Sequence, residues 1–143
     1  MRRLLLTALA AAALTAADPV VAPAPAGLAD AAVLVARSAT ATTQAQRFAV
    51  QNLAKQRLAG ASFSADLVVE DVVAVQWKGQ AAWSIECRNP EPAFRISAYT
   101  ADEATALALN RGDRVRITGT AVGLNLGKEA VLIIEQTAAA RQP

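Results

Sequence analysis

Leu109-Asn110-Arg111-Gly112-Asp113-Arg114-Val115-Arg116-Ile117-Thr118-Gly119-Thr120-Ala121-Val122-Gly123 is the stretch that decides the fold. Arg111-Gly112-Asp113 is a polar turn, with Gly112 for backbone freedom and Asp113 for turn hydrogen bonds. Val115 and Ile117 then oppose Arg114, Arg116 and Thr118, the two-residue period of a half-buried strand. A glycine interrupts that strand where a barrel wall must bend.

Downstream, Asn125-Leu126-Gly127-Lys128 predicts a turn into a last strand, Ala130 to Gln136, and residues 137–143 are expected to be a disordered tail. Upstream, Phe63 to Val75 is a long β-branched run, and Glu70-Asp71 in its middle predicts a bulge or strong bend. Lys78-Gly79-Gln80 is a turn. Trp83, Ile85 and Cys87 alternate with Ser84, Glu86 and Arg88, and Phe94, Ile96 and Ala98 alternate with Arg95, Ser97 and Tyr99. Between these two strands Asn89-Pro90-Glu91-Pro92 is expected to break the ladder, because proline has no N–H to donate. Ala101 to Leu109 reads as a short helix capped by Thr100 or Asp102.

Ahead of the strands, Thr43-Gln44-Ala45-Gln46 matches a capping box. Val50, Leu53, Ala54 and Leu58 then recur at helical spacing and Gly60 supplies a stop, so the pattern predicts an amphipathic helix from Thr43 to Ala59. Its apolar stripe must cover either its own core or a partner helix. One helix, three strands, a short helix and two more strands make a mainly β chain. The order is that of a five-stranded OB-fold Greek-key barrel with a preceding amphipathic helix and a short helix between strands 3 and 4. The helix plus barrel occupies residues 43–136.

The first 42 residues differ in kind. Met1-Arg2-Arg3, the apolar run Leu4 to Leu14 and the small residues Thr15-Ala16-Ala17 have the layout of a Sec-type signal peptide, residues 1–17, cleaved after Ala17. The run is too short to span a bilayer as a mature helix, so membrane contact is expected only through this segment before cleavage. Residues 18–42 are an Ala/Pro-rich linker, with Ala29 to Ala41 able to form a short helix. The expected location is the periplasm or the exterior.

The whole chain carries 14 Lys and Arg against 12 Asp and Glu, but Arg2 and Arg3 leave with the signal while every acid lies at Asp18 or later. The mature balance is therefore 12 against 12, which removes the positive field that drives non-specific phosphate binding and disfavours nucleic acid as a partner. Cys87 is the only cysteine, so no intrachain disulfide can form; inside a strand it is expected as a buried small hydrophobe.

With no histidine, the commonest general base and zinc ligand are missing. The adjacent acids Glu70-Asp71 and Asp102-Glu103 do not converge as metal ligands would, and Lys55, Lys78 and Lys128 have no designated serine. No enzyme activity, cofactor or metal site is expected. Arg111-Gly112-Asp113 spells an integrin-type tripeptide, but its place at the entry to a strand makes it a turn.

Leu109 to Gly123, with the hairpin Ala121 to Ile134 behind it and the helix Phe48 to Leu58 before the barrel, resembles the tRNA-anticodon-like OB family of exported bacterial proteins. The resemblance spans Gln46 to Gln136. It implies a small OB domain of the bacterial envelope, in a family whose functions are largely uncharacterised. One departure is that Phe63 to Val75 lacks the glycine such first strands carry, leaving Glu70-Asp71 to make the bend.

OB barrels bind ligands on the outer face of strands 2 and 3. With the apolar residues inward, that face displays Ser84, Glu86, Arg88, Arg95, Ser97 and Tyr99. The candidate ligand-binding residues are Trp77, Arg88, Arg95, Tyr99, Arg114 and Arg116. They describe a non-enzymatic envelope binding module for a small polar or anionic ligand, a glycan or a protein. Single-stranded nucleic acid is the alternative, for which one or two aromatics are few.

Overall fold

The computed structural model describes residues 23–143; the signal-peptide assignment, residues 1–17, lies outside them. The elements are α1 (Leu28–Thr40), α2 (Gln44–Leu58), β1 (Ser62–Trp77), β2 (Gln80–Pro90), β3 (Ala93–Thr100), α3 (Glu103–Ala108), β4 (Arg114–Leu126) and β5 (Ala130–Arg141). The strands close into a barrel in the order β1-β2-β3-β5-β4, with β3 and β5 parallel and the other neighbours antiparallel. That order, with α3 between β3 and β4, is an OB fold.

Closure depends on β1 serving two walls. Its first half pairs with β4, from Ser62 opposite Thr120 to Val68 opposite Arg114, and its second half pairs with β2, from Val69 opposite Cys87 to Trp77 opposite Gln80. The register slips between Val69 and Asp71, so Glu70 is the bulged residue. The charged pair thus makes the bend that a glycine would otherwise make, because a bulge leaves one residue unpaired and tolerates a solvated side chain there.

The Arg111-Gly112-Asp113 turn grips this bend. The Gly112 N–H donates to the Val69 carbonyl at 2.8 Å, the Val69 N–H donates to the Asp113 carbonyl at 2.9 Å, and Arg111 Nε donates to the Glu70 carbonyl at 2.8 Å. Gly112 sits at φ 92°, a conformation costly for any residue with a Cβ. Asp113 is occupied as well, accepting from the Asn110 N–H and from Arg141. The tripeptide is a strand-entry clasp, with both charged side chains engaged.

The inward residues form one core, in which Phe94, Ile85, Ile96, Ile117, Leu132, Ile134, Val69 and Val115 are fully buried. α2 docks on its own barrel. Val50, Ala54 and Leu58 are buried, and Gln51 Nε2 donates to the Leu124 carbonyl of β4 at 3.0 Å. Thr43 caps the helix as its sequence requires: its hydroxyl accepts from the Gln46 N–H at 3.1 Å, and Gln46 Oε1 accepts from the Thr43 N–H at 3.2 Å. Leu53, expected in the docked stripe, is exposed.

Three expectations are corrected. The Pro-rich stretch is no free tether from Pro23 onward: Ala26 bridges to Phe63, Arg57 donates to the Ala24 and Pro25 carbonyls, and α1 adds Ala31, Leu34 and Val35 to the core. The expected disordered tail, residues 137–143, is ordered in its first part, since β5 runs to Arg141 with Ile117 opposite Ala139 and Val115 opposite Arg141. Thr137-Ala138-Ala139-Ala140 has no alternating pattern, but backbone ladder bonds need none. The β2–β3 ladder also continues to Pro90 opposite Ala93, with the turn made by Glu91-Pro92.

Gly119 marks the tightest approach in the barrel wall. A Cβ there would lie 2.6 Å from the Glu135 carbonyl oxygen and 2.7 Å from Ile134 Cγ2, whereas a Cβ on Gly123 meets nothing within 4 Å. Opposite Gly119, β5 carries an irregularity at Gln136, whose φ is 53°. Gly119→Ala is expected to lower unfolding free energy by about 1–3 kcal/mol, the range for overpacking, and Gly123→Ala to stay within about 0.5 kcal/mol; urea melts of both variants check this.

Cys87 is fully buried, and burial, helped by Glu86 and Glu70, pushes its thiol up to about 12. A thiol reagent is expected to leave the native protein unlabelled near neutral pH and to react once denaturant opens the barrel. Labelling of the native state at the rate of the unfolded chain would contradict that placement.

Candidate functional site

Residues directly opposite in a ladder share a face, so the register assigns the outer surface of β1, β2, β3 and β5 row by row. Arg88 stands opposite Arg95, Glu86 opposite Ser97, and Ser84 opposite Tyr99. Trp77 follows at the end of β1, and Lys78-Gly79, with φ of 51° and 79°, makes the two-residue hairpin turn to Gln80. Four of the six candidate residues, Trp77, Arg88, Arg95 and Tyr99, therefore lie on one face.

Two arginines directly opposite one another repel. Here three carboxylates, from β1, β2 and the segment before β5, answer them. Arg88 lies 3.5 Å from Glu70 at the β1 bulge and 3.4 Å from Glu129 before β5, while Arg95 lies 3.7 Å from Glu86 and 4.0 Å from Glu129. These pairs are partly solvated and contribute little to stability. They leave neither arginine as an uncompensated cation.

The middle of the face is closed over. Glu86 accepts from the Ser84 hydroxyl at 2.7 Å and from the Ser97 hydroxyl at 2.8 Å, one on each carboxylate oxygen. Both serines are buried although they point outward, since the longer side chains around them fold across. The two buried hydroxyls are thus satisfied by one partly buried carboxylate, as buried polar groups require.

At the far end the Trp77 and Tyr99 rings stack, with centroids 4.4 Å apart and an interplanar angle of 27°. Glu135 holds the stack in place. It accepts from the Trp77 indole N–H at 3.1 Å and pairs with Lys78 Nζ at 2.7 Å. The Lys78 contact, aided by the indole, keeps its carboxyl below the usual value against an opposing push from burial. Burial first, then Glu86, raises the Tyr99 phenol. Trp77, Lys78, Ala82, Tyr99, Thr100 and Glu135 border a groove of about 340 Å³.

The remaining two candidates stand elsewhere. Arg114 and Arg116 are on β4 beside the first half of β1, where Arg116 grips Asp66 through two hydrogen bonds of 2.8 and 2.9 Å. That contact lowers the Asp66 carboxyl and raises the guanidinium. They do not extend the basic side of the β2–β3 face. Glu129 and Glu135 were not candidates from the sequence: Glu135 carries a signal, its place in the β5 alternation, but its approach to Trp77 depends on the parallel register with β3. Among the described residues no cluster of three metal-ligating side chains occurs.

No family model and no curated protein matches the chain. Among solved structures it is similar to the solution structure of an OB domain from Thermoplasma acidophilum, at 14% identity over 57% of this chain and 74% of that one, with a TM-score of 0.37. The OB assignment here rests on the strand order and the position of α3.

Because the folded state holds Glu135 below its ordinary pKa, the contact contributes stability above the ordinary glutamate range and loses it as pH falls through the lowered folded value. In a Trp83→Phe background, acid titration of Trp77 emission is expected to show a step below that ordinary range. Glu135→Gln is expected to remove the step while the protein stays folded at neutral pH.

Proposed function

We propose that the chain is an exported, non-enzymatic OB binding module of the bacterial envelope, and that the β2–β3 face with the Trp77–Tyr99 groove receives a polar ligand without net charge, a glycan in the first instance. The observation that carries this is the aromatic stack at the end of a charge-compensated face. Three cations, Lys78, Arg88 and Arg95, are met there by four carboxylates, Glu70, Glu86, Glu129 and Glu135. A polyanion gains little from such a surface, whereas a sugar uses aromatic faces for its C–H groups and mixed donors and acceptors for its hydroxyls.

Export is supported by the signal-like residues 1–17 and by the resemblance of Leu109 to Gly123 to the tRNA-anticodon-like OB family. Among the described residues no helix is long and apolar enough to cross a membrane. The absence of histidine from the chain, and of a convergent nucleophile and base among the described residues, supports binding without catalysis.

Titration of envelope glycan fragments is expected to change Trp77 emission, and Tyr99→Ala to abolish the response while Arg116→Ala leaves it intact. Labelled single-stranded oligonucleotides are expected to bind at most weakly. Tight oligonucleotide binding that falls steeply with salt, and that disappears in the Arg95→Ala Tyr99→Ala double variant, would replace the proposal with single-strand recognition.

A further inference from the structure

The helical hairpin is the part of the molecule that the barrel does not use up. α1 and α2 run antiparallel, with Arg57 near the end of α2 paired at 2.8 Å to Asp30 at the start of α1. Each helix buries one stripe and leaves another facing its neighbour. On α1 that row is Ala29, Val33 and Arg37; on α2 it is Ala49, Leu53 and Arg57, four residues apart in each case, which is one helical face. Two depressions that share Arg37 and Leu53 join along these rows into one groove.

The groove is apolar over Val33 and Leu53, with Arg57 at one end and Arg37 where the two depressions meet. Val33 is 59% exposed and Leu53 38%, both large apolar side chains left in solvent. Arg57 is taken by Asp30, while Arg37 at the junction has no carboxylate partner among the described residues. An occupant therefore needs an apolar side chain for the centre and a carboxylate about one helical turn away for Arg37.

The chain itself carries that arrangement on another surface. α3 is capped by Asp102 and leaves Leu107 65% exposed. Glu103 lies four residues before Leu107, on the same side of the helix and also exposed. Such a pair has Cβ atoms about 5–6 Å apart, the same spacing as Val33 and Arg37 in the groove. α3 packs toward β2 and the hairpin toward β4, so the knob does not fill the groove of its own chain.

We propose that the α1–α2 groove is the docking site for α3 of a second copy of this chain, with Leu107 seated between Val33 and Leu53 and Glu103 paired to Arg37. Knob and groove are different surfaces, so the contact is heterologous and repeats head to tail into a ring or a filament. One short helix buries less than a permanent dimer requires, and the association is weak, concentration-driven and sensitive to salt.

Sedimentation velocity of the full chain across a micromolar to millimolar series tests this. The apparent mass is expected to rise with concentration and to fall back with added salt. Leu107→Ser and Leu53→Ser, both at exposed positions, are each expected to remain monomeric, and an equimolar mixture of the two to form capped dimers and nothing larger. Arg37→Glu and Glu103→Arg are each expected to weaken assembly at least tenfold, and the double variant to restore it. A monomer at every concentration overturns the proposal, including the case in which the hairpin instead binds vesicles of anionic phospholipid through Leu53. Assembly that persists unchanged in Leu107→Ser also overturns it.

Discussion

A five-stranded barrel closes only if one strand is shared between two walls, and in this chain that burden falls on β1 at Glu70. The backbone must turn there without a glycine and without burying a charge. A bulge meets both demands, since Glu70 drops out of the ladder and its side chain stays in water beside Arg88. The bend is then held from outside by the turn around Gly112, whose amide and side-chain bonds to Val69 and Glu70 join segments some forty residues apart. Barrel closure, the inward set of core side chains and the position of Trp77 at the strand's end all follow from that joint.

Charge is distributed by the same geometry. Near-equal numbers of acids and bases can be spread evenly or separated, and among the described residues they are separated. The helical hairpin carries Arg37, Arg47, Lys55 and Arg57 against Asp30, while the β2–β3 face answers each arginine with glutamates from β1, β2 and the segment before β5. Pairing of this kind adds little stability because both partners reach solvent. It does leave the arginines of that face charge-compensated. The two surfaces therefore differ in kind: a compensated polar face on the barrel, and on the hairpin an apolar groove beside Arg37, which has no carboxylate partner among the described residues.

The strands and helices were largely legible in the residues. Alternation around Ile85, Ile96 and Ile117 set which side chains enter the core, and the capping box at Thr43 placed the start of α2 within a residue. Glu70-Asp71 marked the bend because a charged pair in the middle of an apolar strand has few other places to go. The misreadings at the two ends have long-range causes. Ala26 and the run from Thr137 to Arg141 are held by backbone bonds to other strands, and backbone pairing leaves no trace in side-chain pattern; the Arg57 bonds to Ala24 and Pro25 and the burial of α1 depend on tertiary packing.

The site divides along the same line. By itself the sequence determined the inward and outward faces of β2, β3 and β4, the OB order of elements and the absence of histidine chemistry, because those follow from local periodicity and from which residue types are present. Only the tertiary structure decided that Trp77 and Tyr99 stack, that Glu135 holds them, and that Arg114 and Arg116 stand on a different wall from Arg88 and Arg95. Those relations depend on strand register across the barrel. Register is a long-range quantity, set by closure and by the bulges at Glu70 and near Gly119, and no local stretch of residues encodes it.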